Sequence, residues 1–139
     1  MTSYLLGTDI FSLYLQNDAN VSRAVFLHLA NPMADSIITA REIWNGWAAA
    51  LTRAKTPQLL AATYARLTET IDVLGRFSVV SFSVAAIARY ESLKRQKLNV
   101  GGNDLRIAAT ALELGAAVVT RNQRDFARIP GVTIDDWSV

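Results

Sequence analysis

Short apolar runs alternate with longer amphipathic segments along this chain, and the alternation limits the folds that it can adopt. The runs are rich in valine, isoleucine and leucine. They lack the period of two that marks a half-exposed strand, so they predict strands buried on both faces of a sheet. The predicted strands are YLL (4–6), SIIT (36–39), FSVV (77–80), AVVT (117–120) and VTI (132–134).

The segments between the runs carry apolar residues at helical spacing, as at Ile43, Trp47 and Leu51. Helices are predicted over 9–16, 21–30, 40–54, 57–74, 84–97 and 104–115, the last closed by Gly115. Buried strands that alternate with helices indicate the α/β class. We expect one domain over residues 1–139, a three-layer α/β/α sandwich around a mainly parallel sheet of about five strands.

Composition removes several classes of protein. The chain has no cysteine, so it has neither a disulfide framework nor a thiolate metal site. Its one histidine, His28, falls within the second predicted helix, where a partly exposed structural role is expected. No apolar run approaches the roughly 20 residues that span a bilayer, and no basic residue precedes the first run as in a secretory signal. These features favour a soluble, cytoplasmic protein without a membrane partner.

Three acids fall at the predicted starts of helices: Glu42, Asp104 and Asp125. In an open parallel sheet the ligand crevice lies beyond the carboxyl ends of the strands, so we expect the three on one rim. Clustered carboxylates repel each other, and a divalent cation such as Mg²⁺ removes the repulsion. Such a cation can also activate water for attack on a phosphate.

The same acids could act only as helix caps. The segment Thr39-x-x-Glu42 has the form of a capping box, and Asn122-x-x-Asp125 also suits a helix start. An acid in a first turn stabilises its helix by about 0.3–1 kcal/mol. Both interpretations stay open at the level of the residues alone.

Three segments together resemble a known family. YLLGTDIFSLYL is similar to the first motif of PIN-domain ribonucleases, which normally reads L-L-D-T-N/D-I-L. SIITAREIWNGW is similar to the second motif, in which a Glu follows Ser/Thr-x-x. NDLRIAATALELGAAVVTRNQRDFARIPGVTIDDW resembles the last block of VapC-type toxins, the toxin half of bacterial toxin–antitoxin pairs. The likeness covers nearly the whole chain, in order.

The resemblance implies an endoribonuclease that depends on Mg²⁺ or Mn²⁺, with a PIN-like fold. Glu42, Asp104 and Asp125 match metal-binding acids of the family, and Asp9 matches a supporting position of its site. The polar positions that line the family's site are matched by Thr8, Thr120 and Asn122.

Gly7 occupies the position of the family's first acid. A missing carboxylate leaves the metal with fewer charged ligands, so impaired activity is expected. Asp9 compensates only if residues 7–9 stay extended, because only then do positions 7 and 9 face the same way. The glycine is either natural or an introduced change that silences a toxic nuclease.

The resemblance also implies an RNA substrate, a cognate antitoxin and a homodimer. Arg106, Arg121 and Arg124 flank the acids in sequence and are expected to contact RNA phosphates. Trp44 and Trp47 are expected in the core; if they are exposed, they indicate a dimer or antitoxin surface.

Two other functions compete with the nuclease. One is a non-catalytic PIN scaffold that binds RNA or an antitoxin. The other is a receiver-like signalling domain, which needs a phospho-accepting aspartate after the central strand. The segment FSVVSFSVAA (77–86) supplies no aspartate, which argues against the receiver.

Overall fold

The computed structural model describes all residues from 1 to 139, and it contains five strands and seven helices. The strands are β1 (Tyr4–Leu6), β2 (Met33–Ser36), β3 (Ser78–Val80), β4 (Ala117–Val119) and β5 (Ile134–Asp135). The helices are α1 (Thr8–Leu15), α2 (Ala19–Leu27), α3 (Ile37–Arg53), α4 (Pro57–Leu74), α5 (Val84–Arg95), α6 (Gly102–Leu114) and α7 (Gln123–Phe126).

The strands form one parallel sheet in the order β3-β2-β1-β4-β5. Leu5 and Val118 point to the core that α5 and α6 cover, whereas Leu6 and Val119 point to the core on the opposite face. The predicted three-layer α/β/α sandwich with about five strands is therefore confirmed. Because β1 and β4 are neighbours, the segments that follow them emerge side by side at one edge.

The second predicted strand, over 36–39, is wrong. Strand β2 ends at Ser36, and α3 begins at Ile37 rather than at residue 40. The Ser36 hydroxyl accepts a hydrogen bond from the Thr39 backbone N–H at 3.1 Å, so Ser36 is the cap and the Thr39-x-x-Glu42 capping box does not form. Glu42 consequently lies in the second turn of α3.

The remaining helices and strands lie within a few residues of their predicted places. Helix α2 ends at Leu27, and α6 begins at Gly102 and closes at Gly115, whose φ of +66° suits glycine. His28 caps α2: its Nδ1 lies 2.7 Å from the Ala24 carbonyl oxygen, and its ring stacks on Trp137. This half-buried position is the structural role that was expected. No helix has the length and apolarity that crossing a membrane requires.

Candidate active site

A polar cleft of about 340 Å³ opens at the carboxyl edge of the sheet. Its floor comes from the residues that follow β1 and β4, and its walls come from α3 and α6. The polar residues that line it are Thr8, Asp9, Glu42, Asp104, Thr120 and Asn122, with Gly7 between them. Three of the four acids chosen from the sequence thus line one cleft, which we name the acidic cleft.

Glu42 is held by one hydroxyl group, at the end of a series of hydroxyls, rather than by a cation. Thr8 donates its hydroxyl to Glu42 Oε1 at 2.7 Å. Thr8 has only this one proton to give, so Thr39 is the donor in the 3.1 Å contact between the two threonine hydroxyls. The chain of donors continues to Ser36, whose hydroxyl lies 3.4 Å from that of Thr39. From the sequence, Thr39 was predicted only to cap a helix, and its place in this series of hydroxyl donors was not predicted.

Asp104 lies in the first turn of α6 and is half-buried in the cleft. Burial raises the pKa of its carboxyl, and the negative charges of Glu42, Asp9 and Asp125 raise this pKa further. A hydrogen bond from Asn122 Nδ2 to Asp104 Oδ2, at 3.2 Å, opposes the rise. The acidic cleft therefore concentrates negative charge around Asp104.

Asp9 lies beside the cleft floor in the first turn of α1, since this helix starts at Thr8 and residues 7–9 are not extended. Its Oδ2 accepts hydrogen bonds from the Arg121 backbone N–H at 2.9 Å and from the Thr120 hydroxyl at 3.1 Å. Its Oδ1 accepts one from the Ile10 backbone N–H at 2.8 Å. The condition under which Asp9 would replace a missing acid at position 7 is not met.

Asp125 stands apart from the other three acids. Its Oδ1 pairs with Arg128 at 3.2 Å, and its Oδ2 accepts from Asn122 Nδ2 at 3.0 Å. The Asn122 amide therefore bridges Asp125 to Asp104. Because Arg128 already neutralises it, Asp125 is the acid of the set least available to a further cation.

Gly7 is buried and has the backbone angles φ −70° and ψ 163°, which any residue can adopt. The turn from β1 into α1 therefore does not require glycine. A Cβ at this position would lie 3.0 Å from the Val119 carbonyl oxygen and 3.1 Å from Asp9 Oδ1. A side chain at position 7 would thus enter the cleft beside Asp9, and the backbone would have to move by a few tenths of an ångström to admit it.

No three acidic side chains lie close enough around one point, as placed, to hold a metal ion. The donor set is nevertheless of the right chemistry, because the cleft offers carboxylate and hydroxyl oxygens and no sulfur or imidazole. Glu42 and Asp104 form no salt bridge. Mg²⁺ is commonly bound through one or two carboxylates together with water and substrate phosphate, and this pair fits that pattern.

The three arginines chosen from the sequence lie in different surroundings. The side chains of Arg121 and Arg124 are exposed. Arg106 is half-buried: its Nη1 donates to Asn103 Oδ1 at 3.0 Å, and its guanidinium lies 4.5 Å from the centre of the Tyr90 ring. Arg106 is therefore fixed in place, whereas the other two arginines project into solvent.

A larger cleft, of about 490 Å³, lies elsewhere, among α1, α2 and α4. Its acids are both paired: Glu69 with Arg66 on α4, and Asp72 with Arg76 just beyond the end of α4. Its charges are thus balanced, unlike those of Glu42 and Asp104, and it offers no comparable group of acids.

Comparison with known proteins agrees with this geometry. Residues 4–132 match the PIN domain family. The chain belongs to the PIN domain family. Within it, the chain is of the VapC ribonuclease type, as comparisons over nearly its full length show.

Two curated relatives illustrate the match. The tRNA(fMet)-specific endonuclease VapC of Salmonella typhimurium is 29% identical and covers 99% of both chains. Ribonuclease VapC1 of Haemophilus influenzae is 30% identical and covers 97% of this chain and 98% of its own.

Solved structures give the same family. The VapBC complex of Salmonella typhimurium, bound to DNA, superposes with a TM-score of 0.81 at 27% identity over 99% of both chains. VapBC2 of Rickettsia felis, bound to a DNA fragment from its promoter, also gives 0.81, at 25% identity over 98% of this chain and 99% of that one. Both are toxin–antitoxin assemblies in which the VapC-type subunit has the fold seen here.

Proposed function

We propose that this chain is the toxin of a VapBC-type toxin–antitoxin pair, a metal-dependent endoribonuclease that acts in the cytoplasm and is weakened at position 7. The observation that carries the proposal is the group of carboxylates around Asp104, in which only Asp125 has a cation partner. Glu42 and Asp104 would hold Mg²⁺, or Mn²⁺ in its place. Such a cation, when bound, activates water and offsets charge that builds up on a phosphate.

The side chains around the two acids have supporting tasks. Thr8 and Thr39 orient Glu42 through their hydroxyls, and Asn122 orients Asp104 through its amide. Asp9 joins the segment after β1 to the segment after β4, because it binds Thr120 and the backbone of Arg121. These contacts fix the distance between the two walls of the cleft. With glycine at position 7, we expect slower turnover than in a four-acid site.

A second candidate is a non-catalytic PIN scaffold that binds RNA or an antitoxin. Two observations favour it: position 7 has no side chain, and no three acids surround one point. Such a scaffold would bind RNA through its arginines without breaking it.

Incubation of total RNA with the chain, in Mg²⁺ or in EDTA, separates the two candidates. The nuclease predicts discrete fragments that need Mg²⁺ and disappear in Glu42→Gln. The scaffold predicts no fragments at any metal concentration. Metal-independent fragments that persist in Glu42→Gln would come from a contaminant and would count against the nuclease.

Two protein partners follow from the same assignment, a cognate antitoxin and a second copy of the chain. Trp47 is half-buried and its indole N–H donates to Thr70 Oγ1 at 3.0 Å, whereas Trp44 is 56% exposed. An exposed tryptophan is typical of binding surfaces. Trp44 fluorescence, followed against Trp44→Phe, should therefore shift when antitoxin is added, and light scattering of the free chain should give the mass of a dimer.

A further inference from the structure

A second cleft, of about 420 Å³, lies directly beside the acidic cleft. Glu42 lines both clefts, so a linear polymer that passes over Glu42 enters one cleft as it leaves the other. The second cleft contains two arginines, Arg41 from α3 and Arg106 from α6, and we name it the arginine cleft. Of their charged side chains, the arginine cleft thus carries mainly positive ones, whereas the acidic cleft carries only negative ones.

Neither arginine of this cleft is neutralised. The four salt bridges of the structure are formed by other arginines: Arg66, Arg76, Arg89 and Arg128. Arg41 is exposed, and the hydrogen bond that Arg106 donates goes to the neutral amide of Asn103. Two unpaired guanidinium groups beside a group of carboxylates offer phosphate oxygens an attractive site next to the acids.

An aromatic side chain completes the arginine cleft. Phe82 is half-buried in its wall. The Phe82 ring meets the Tyr90 ring edge-on, at 6.1 Å between centres, and Arg106 lies over the same Tyr90 ring. Tyr90 therefore holds both the aromatic wall and one guanidinium. An aromatic ring beside arginines is the combination on which single-stranded RNA bases stack.

Two amides can contact the edge of a stacked base. Asn45 lies in the cleft, is exposed, and makes no hydrogen bond through its side chain within the protein. Asn103 accepts from Arg106 through Oδ1, which leaves its amide N–H groups free. An amide can donate and accept at once, so it can pair with the edge of a base.

We propose that the arginine cleft binds one nucleotide of a single-stranded RNA, next to the phosphate that lies in the acidic cleft. Arg41 and Arg106 bind its phosphate, Phe82 stacks on its base, and Asn45 and Asn103 contact the base edge. This inference rests on the proposed function, because it requires RNA as the molecule that crosses Glu42. It deepens that function by assigning the positions that select the substrate.

Binding without cleavage tests the proposal. A fluorescein-labelled single-stranded oligoribonucleotide is titrated with the full chain in EDTA, at several salt concentrations, and its anisotropy gives Kd. Arg41→Gln and Arg106→Gln should each weaken binding about tenfold and lower the slope of log Kd against log salt by about one. Phe82→Leu should weaken binding about tenfold with the slope unchanged.

Arg53→Gln is the matched control, since Arg53 is an exposed arginine of the same helix as Arg41 and lies outside both clefts. It should change Kd less than twofold. Equal losses in Arg53→Gln and Arg41→Gln would overturn the proposal, because they would show attraction by net charge alone. Unchanged Kd in both Arg41→Gln and Phe82→Leu would also overturn it.

A duplex of the same sequence gives a second arm. Its bases are not free to stack on Phe82, so Phe82→Leu should leave duplex binding unchanged, and an equal loss on both forms would contradict the stacking.

The variant Asp104→Asn separates the two proposals. If the intact chain fails to cleave RNA while the arginine variants still lose affinity, the nuclease assignment is wrong and the arginine cleft stands. If Asp104→Asn abolishes cleavage but the arginine variants bind RNA with unchanged Kd, only the assignment of the arginine cleft is wrong.

Discussion

Asp35 and Asp104 are both acids whose pKa is raised chiefly by burial, yet their surroundings differ in every other respect. Asp104 lines a polar cleft, accepts a hydrogen bond from Asn122 and faces other carboxylates. Asp35 lies in the middle of β2 between Leu6 and Val79 of the neighbouring strands, is 0% exposed, and has no hydrogen-bond partner at either oxygen.

The difference shows that burial of an acid does not by itself indicate a site. Burial raises the pKa of Asp35 to about 8 without help from any neighbouring charge. Its carboxyl is thus protonated at neutral pH and makes no contact that stabilises it, so it costs stability. At Asp104 the same effect is combined with donors, like charges and access to solvent, and this combination can serve chemistry.

The largest effect is expected in the core. Asp35→Val should raise the free energy of unfolding at pH 7 by roughly 2–5 kcal/mol, because it replaces a buried, unpartnered polar group with an apolar one. Urea denaturation measures the change. Asp35→Asn is the matched control: it keeps the size and polarity of the side chain, so it should recover only part of the gain. Loss of stability in Asp35→Val would indicate a partner for this carboxyl.

The next effect is expected in the acidic cleft. Asp104→Asn should reduce metal-dependent RNA cleavage about a hundredfold or more, since it removes one of the two acids proposed to hold the metal. Its melting temperature should stay the same or rise, because the repulsion from Glu42 is relieved. Asp35→Asn serves as the control and should cleave RNA at the rate of the unchanged chain. Equal loss in both variants would remove the distinction between the two acids.

A third effect is the pH dependence of stability. The unfolded chain releases the Asp35 proton near pH 4, whereas the folded chain holds it up to about pH 8. The contribution of Asp35 to stability therefore falls as pH rises between these values, by at most about 1.4 kcal/mol per pH unit, and levels off above pH 8. Denaturation at pH 5, 6, 7 and 8 should show this slope and lose it in Asp35→Val. The same slope in both proteins would contradict the raised pKa.

The smallest effect concerns metal binding at position 7. Gly7→Asp should gain a few degrees more in melting temperature from Mg²⁺ or Mn²⁺ than the unchanged chain, because it adds a carboxylate ligand. Without metal it should be the less stable protein, since the new charge lies beside Asp9 and its Cβ crowds the Val119 carbonyl oxygen. Gly7→Asn is the control, with the same size and no charge. An equal metal response in Gly7→Asn and Gly7→Asp would mean that the carboxylate is not a ligand.

Much of this architecture was predictable from periodicity. The apolar runs at β1, β3 and β4 predicted the parallel sheet. An acid that directly follows a strand of such a sheet lies at the carboxyl edge of the sheet. That is why Glu42 lies on the cleft, even though its helix was predicted to start three residues late. Asp104 follows helix α5 rather than a strand, and it was chosen because it begins a helix and belongs to the segment that resembles the last block of the family.

The core carboxyl was not predictable in this way. Strand β2 has the sequence MADS. It was not predicted as a strand because aspartate is rare in buried strands. One local feature does indicate the correct boundary. Ser36 lies three residues before Thr39, the spacing of a helix N-cap, and a helix capped by Ser36 places the strand at 33–36. The bridge formed by Asn122 and the pairing of Asp125 with Arg128 depend on side-chain geometry that spacing alone does not determine.

The central claim is that the acidic cleft is a nuclease site weakened by the glycine at position 7. The most direct test measures the rate of Mg²⁺-dependent RNA cleavage by the unchanged chain, Gly7→Asp and Gly7→Asn, side by side on one RNA. We predict that Gly7→Asp cleaves at least about ten times faster than the unchanged chain, and that Gly7→Asn gains little. Cleavage by the unchanged chain at the rate of Gly7→Asp would contradict the account, because it would show that the site needs no acid at this position.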